Sequence, residues 1–116
     1  MGKLSTHVLD TVRGRPAAGM RIDLYRRDAG GLALVKSAVT NADGRTAEPL
    51  LAEAALTAGQ YELHFDVGEY FAAVGSPDAG QFLRIVPVAF TVTDPAANYH
   101  VPLLVSPWSY GTYRGS

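Results

Sequence analysis

Two histidines stand near opposite ends of this 116-residue chain. His7 lies in Leu4-Ser5-Thr6-His7-Val8-Leu9-Asp10 and His100 in Tyr99-His100-Val101-Pro102-Leu103-Leu104. Imidazole titrates close to neutrality, so a partly desolvated histidine can take up and return a proton at physiological pH. Arg45 closes the segment Asn41-Ala42-Asp43-Gly44-Arg45. Its guanidinium fork suits a planar heterocycle that presents carbonyl and ring-nitrogen acceptors side by side. The sequence closes on Tyr113-Arg114-Gly115-Ser116, preceded by the aromatic stretch from Ser106 to Thr112. Terminal segments usually fray, so this composition predicts a docked tail. Docking would put the Ser116 hydroxyl and a carboxylate in one small space. Each of these residues taken singly is bland, because a strand histidine or a turn arginine is more often solvated than reactive. It is the combination that points to acid–base chemistry.

The remaining histidine reads differently. His64 alternates with Glu62 and Asp66 on a polar strand face and is expected to be solvated. Three histidines can form an open zinc site, but His7, His64 and His100 lack metal-ligand spacing, so no metal site is expected. A nucleophile elbow, a phosphate-cradling glycine loop and a dinucleotide fingerprint are all missing from the sequence.

The elements that must carry these side chains alternate at period two. Ile22 and Leu24 oppose Arg21, Asp23 and Tyr25. Tyr61, Leu63, Phe65 and Val67 oppose Glu62, His64 and Asp66. Val86, Val88, Phe90 and Val92 share one side of 85–92, and Tyr99, Val101, Leu103 and Val105 one side of 99–105. Such runs are half-buried strands. The same parity sets Ser5, His7 and Leu9 opposite Thr6, Val8 and Asp10, and His100, Pro102 and Leu104 on the outward side of their strand. Pro102 and Leu104 make that outward face more apolar than a solvated one, which suggests an oligomer contact or a ligand cleft. Asp28-Ala29-Gly30-Gly31 reads as a hairpin connection, and Gly14-Arg15-Pro16, Asp94-Pro95 and Ser106-Pro107 as turns. Glu69 to Gly75, with an acidic first turn and a glycine stop, predicts the one short helix. Seven to eight strands and frequent turns imply an all-β sandwich of two sheets.

Composition narrows the function classes. At 116 residues, residues 1–116 are expected to form a single domain. Hydrophobic residues make up 47% and charged residues 18%, enough for a core and too few charges for a disordered chain. A formal net charge of −1 leaves no electrostatic footprint for nucleic acid or an anionic membrane surface. The absence of cysteine removes disulfides, thiol catalysis and thiolate metal sites. It fits a reducing compartment, although a periplasmic protein can also lack cysteine. No signal core or membrane-length apolar run is present, so a cytoplasmic protein is expected.

Together the segments around His7, Arg45 and His100 and the ending Tyr113-Arg114-Gly115-Ser116 resemble the transthyretin-related proteins, the 5-hydroxyisourate hydrolases of urate breakdown, over nearly the whole chain. The resemblance implies a transthyretin-like (prealbumin-like) sandwich of two four-stranded sheets with one short helix. It also implies a homotetramer, a dimer of dimers around a channel lined by the first and the two last strands. The implied reaction hydrolyses 5-hydroxyisourate to 2-oxo-4-hydroxy-4-carboxy-5-ureidoimidazoline, opening an amide-type ring bond without metal or organic cofactor. By the same resemblance His7, Arg45, His100 and Ser116 are catalytic, and His7, Arg45 and Tyr113 bind substrate. One of the two histidines, with His7 the leading choice, would draw a proton from water, and the other would help protonate the departing ring nitrogen. Arg45 would orient the heterocycle and steady the oxyanion, and Ser116 would hold a histidine or relay a proton. Gly111 departs from the small hydroxyl residue frequent at that place in relatives, without removing a proposed catalytic group. The rival reading is a transthyretin-like carrier that holds a small aromatic ligand in the channel. Two histidines and an arginine have no purpose in a carrier of an apolar ligand.

Overall fold

Alternating burial organises the long strands, as the period-two pattern requires. A computed structural model of the chain describes residues 2–116. In order the elements are β1 (Lys3–Asp10), β2 (Arg15–Pro16), β3 (Arg21–Asp28), β4 (Gly31–Val39), β5 (Leu51–Ala52), β6 (Gly59–Asp66), α1 (Val67–Ala73), β7 (Ile85–Val92), β8 (Tyr99–Val105) and β9 (Tyr110–Thr112). They form two sheets. One runs β2-β1-β8-β9, with β5 also pairing with β1, and the other runs β4-β3-β6-β7. This is the expected all-β sandwich of two sheets with one short helix. There are nine strands where seven to eight were expected, and the first sheet has five where the resemblance implied four, because β2, in the run read as a turn, and β5 are pairings of two residues each along the open edge of β1.

Between the sheets lies one core. Val8, Ile22, Leu24, Leu63, Phe65 and Leu103 are fully buried in it, and each such side chain contributes about 1.5–3 kcal/mol relative to exposure. β3 and β4 pair down to Asp28 and Gly31, which leaves the two-residue hairpin loop that the Asp-Ala-Gly-Gly run announced. The helix begins at Val67, two residues ahead of the expected Glu69, because the Asp66 carboxylate caps it by accepting the Glu69 N–H at 3.2 Å. Gly75, at φ 81°, follows its end.

Strand β1 positions the site. It runs parallel to β8, with Ser5 opposite His100, His7 opposite Pro102 and Leu9 opposite Leu104. Its far end is fastened by Asp10, which is fully buried. The Asp10 carboxylate accepts the backbone N–H groups of Val12 and Arg13 at 3.0 Å on one oxygen and the Tyr70 hydroxyl at 2.7 Å on the other. A buried carboxylate is tolerable only when paired in this way. Burial, together with the negative Asp10 beside it, pushes the Tyr70 hydroxyl up to about 12.

Candidate active site

Four backbone segments lie side by side where the predicted site residues meet. The central stretch of β1 has no full strand on its outer side, between β2 at one end and β5 at the other. The 41–50 loop fills that gap, held by Val8 N–H donating to the Gly44 carbonyl at 2.8 Å and Leu50 N–H to the Leu4 carbonyl at 2.8 Å. On the inner side of β1 lies β8, and beyond it the tail, where Gly115 bridges His100 and donates its N–H to the His100 carbonyl at 2.8 Å. Reading across the sheet gives Arg45, then His7, then His100, then Ser116.

Each position has a local cause. The Asn41 side-chain oxygen accepts N–H groups from Asp43 at 2.9 Å and Arg45 at 3.2 Å, and the Asn41 N–H donates to the Arg45 carbonyl at 2.8 Å. This knot of bonds fixes the turn from which Arg45 projects. Gly44 sits at φ 74°, and a β-carbon there would fall 2.4 Å from the Val8 carbonyl oxygen and 3.3 Å from His7 Cδ2. Only glycine lets the turn lie this close to β1. Gly115 plays the matching part, since its β-carbon would fall 2.5 Å from His100 Cδ2. Arg114 docks the tail by donating to the Asn98 carbonyl at 3.1 Å and lying 4.3 Å above the Tyr99 ring centroid.

The histidines are half-buried, whereas Arg45 and Ser116 are exposed. Register makes His7 and His100 diagonal neighbours on one face, with Cα atoms on the order of 8 Å apart. A cavity of about 290 Å³ opens here, lined by Ser5, Arg45, Thr46, Asn98, His100 and Ser116 among others. That volume lies at the small end of ligand sites, which run from about 300 Å³ upward. Burial lowers the His100 pKa below its ordinary value, and the positive charge of Arg45 and the nearby His7 lower it further. His100 is therefore neutral near pH 7, and its imidazole can accept a proton.

Other expected residues lie elsewhere. Tyr113 is 60% exposed and borders a second, more apolar cavity of about 280 Å³, with Val88, Phe90, Tyr99 and Val101. A single subunit does not bring it to the wall that His100 and Ser116 share. Pro102 is buried within the chain and Leu104 half-buried, so the outward face beside His100 is less open than its composition suggested. His64 belongs to the other sheet. Instead of standing free in water it is half-buried, within 3.0 Å of Glu62 Oε1 and 4.5 Å from the Tyr25 ring. His64 and Arg27 beside Glu62 hold its carboxyl below the usual range. Among the described residues no three His, Cys, Asp or Glu side chains converge as metal ligands, and no helix is long and apolar enough to cross a membrane. Sequence reasoning passed over Ser5, Asp10, Gly44 and Gly115. Asp10 carried a signal, since parity alone set a carboxylate on the core face.

A model of the HIUase/transthyretin family matches residues 4–115. The chain belongs to that family. Among curated relatives it is similar to 5-hydroxyisourate hydrolase 2 of Rhizobium meliloti, 50% identical over 117 residues that span 99% of this chain and 97% of that one. Among solved structures it is similar to (S)-allantoin synthase, with a TM-score of 0.92 and 50% identity over 99% of this chain. It spans only 44% of the length of that synthase chain. It is also similar to sea bream transthyretin, solved in complex with thyroxine, with a TM-score of 0.86 and 30% identity over 97% of this chain and 94% of that one. One HIUase/transthyretin sandwich thus serves proteins named for different tasks, and side chains rather than fold must tell them apart.

Proposed function

We propose that this chain is a 5-hydroxyisourate hydrolase, a hydrolase acting on a cyclic amide bond in urate degradation, and that residues 1–116 act as one domain. The observation that carries the reading is that Arg45, His100 and Ser116, from three separate segments, line one small polar cavity, with His7 outside its lining as the diagonal neighbour of His100 on β1. Half the residues of a curated hydrolase recur over almost the full length of both chains.

The roles follow from the surroundings of each group. Neutral His100 takes a proton from the attacking water as the new C–O bond forms at the ring carbonyl. Arg45 faces the oxygen of that carbonyl and stabilises the charge that develops there. His7, the diagonal neighbour, holds the substrate edge and the water. The C–N bond then breaks, and the protonated His100 returns its proton to the departing ring nitrogen. The resemblance left the base open between the two histidines, with a lean to His7; the place of His100 in the cavity wall, with Nδ1 already in contact with Ser5, favours His100. Acid–base help of this kind contributes about 10²–10⁴-fold. Ser116 closes the wall beside His100 and binds or relays through its hydroxyl. Tyr113 contacts substrate only if a neighbouring subunit shapes the site, which agrees with a homotetramer, a dimer of dimers. The heterocyclic carbonyl is already electrophilic, so no step calls for a metal or organic cofactor. The cytoplasm is the proposed place of action.

The deciding experiment generates 5-hydroxyisourate in place with a urate oxidase and follows the decay of its ultraviolet absorbance. Acceleration above the spontaneous rate is expected. A folded protein that leaves the rate unchanged would overturn the assignment. The carrier reading draws on the sea bream transthyretin complex with thyroxine. It predicts binding of an aromatic ligand at a rate of 5-hydroxyisourate decay no faster than in buffer.

A further inference from the structure

His100 is held from both edges. On one side Ser5 Oγ lies 2.9 Å from His100 Nδ1, a contact set by the parallel register that places Ser5 opposite His100. On the other side the Gly115 backbone packs against Cδ2 so closely that no β-carbon would fit. Among the described residues Nε2 has no protein partner, and it is the ring nitrogen left for the cavity whose wall His100 and Ser5 share.

We infer that Ser5 is a positioning residue for His100: its hydroxyl accepts the Nδ1–H, so that Nε2 is the nitrogen that gains and loses the proton during hydrolysis. A ring nitrogen whose partner nitrogen is occupied by a fixed hydrogen bond has its tautomer chosen for it. Here electrostatics agree with the geometry. A neutral imidazole with Nδ1–H turns the negative end of its dipole, the Nε2 lone pair, toward the cavity that Arg45 lines. The reverse tautomer would aim an N–H into that positive surrounding. Holding Nδ1–H through the whole cycle keeps the proton balance at one atom. Nε2 takes the proton from water as the C–O bond forms and surrenders it to the ring nitrogen as the C–N bond breaks. The arrangement matches the logic by which an acceptor behind a catalytic histidine fixes its tautomer, with a hydroxyl as the acceptor. The glycine opposite is part of the same clamp, because a displaced tail would let the ring rotate away from Ser5.

The inference rests on the hydrolase reading for its consequence, but its first test needs no substrate. Nitrogen-15 NMR of histidine-labelled protein at pH 7.5 should show His100 as the Nδ1–H tautomer, with Nε2 taking up the proton on acidification. In Ser5→Ala the tautomer should relax toward the Nε2–H form that free histidine prefers. Turnover should then fall by about 10–100-fold, the range found when an orienting partner of a functional imidazole is lost, with KM nearly unchanged. Ser5→Thr keeps the hydroxyl and should keep both the tautomer and most of kcat. An Nε2–H tautomer in the unmodified protein overturns the inference, and that measurement requires no variant. So does a Ser5→Thr loss as deep as that of Ser5→Ala, which would mark a packing role. If the tautomer is as stated but no 5-hydroxyisourate is turned over, the hydrolase reading fails and the positioning of His100 stands.

Discussion

In the proposed mechanism His7 and His100 divide the work of the site, and single substitutions separate their shares. His7→Asn and His100→Asn should each lower kcat/KM by at least about 10²-fold, with thermal unfolding close to that of the unmodified protein because both rings are only half-buried. Wild-type rates in either variant, measured by the absorbance assay, would contradict the roles. The pH dependence follows from the depressed His100 pKa. As pH falls, the rate should hold past 6.5 and drop only where His100 takes a proton, since the base is lost on protonation. Stability has the same sign: the contribution of neutral, partly desolvated His100 is present above about pH 6.5 and is lost as pH falls through its lower folded value. Arg45→Gln removes one of the positive charges that oppose the imidazolium. Its acid limb should therefore move to higher pH, toward the ordinary histidine value, while kcat falls. An unmoved limb would show that Arg45 has no part in the shift, leaving it to burial and His7. Ser5 and Gly115 belong to this scale as well, yet neither was legible beforehand. A serine one strand-step from a histidine is common, and only the register between β1 and β8 sets its oxygen against Nδ1.

Strand β1 is the element on which the site depends, and its anchorage lies away from the cavity. Asp10 ties the end of β1 to α1 through Tyr70, and both groups are buried. Tyr70→Phe removes the hydroxyl and leaves one carboxylate oxygen without its donor, so it should cost about 1–3 kcal/mol of stability, read by thermal or urea unfolding. The same contact predicts alkaline behaviour. Tyr70, raised to about 12, contributes stability that is complete below pH 10 and is lost as pH rises through its folded value. Tyr70→Phe should lack that alkaline loss. Alternation revealed the strands at 85–92 and 99–105 to the residue, because a half-buried surface imposes a strict period on side chains. The helix was displaced by two residues because the alternating pattern carried the preceding strand on through Val67, whereas the Asp66 side-chain cap ends the strand there and makes Val67 the first helical residue.

In the whole molecule the free edges tell most. Strands β7 and β9 each end a sheet, and residues of both line the second cavity, while Ile85, Trp108, Tyr110 and Tyr113 on or beside these strands are exposed. Exposed aromatics along an edge strand mark a contact surface, which accords with the proposed tetramer. Tyr110→Lys should lower the mass seen by light scattering and weaken turnover, as a charge on an edge strand opposes pairing. A tetramer of unchanged mass would place the contact elsewhere.

From residue types and their order alone, the fold class, the strand faces and the set of chemical groups could be read. Those properties are local: parity, turn chemistry and side-chain reactivity act over a few neighbouring residues. Convergence was not local. His7 and His100 come onto one face as diagonal neighbours because two strands from opposite ends of the chain pair in parallel, and Arg45 comes beside them because a loop fills the gap along β1. The pKa of His100, its clamp between Ser5 and Gly115, and the separation of Tyr113 from that wall arise from distances between segments up to 95 residues apart in sequence. Such distances depend on register and packing of the entire sandwich, so tertiary structure decided them.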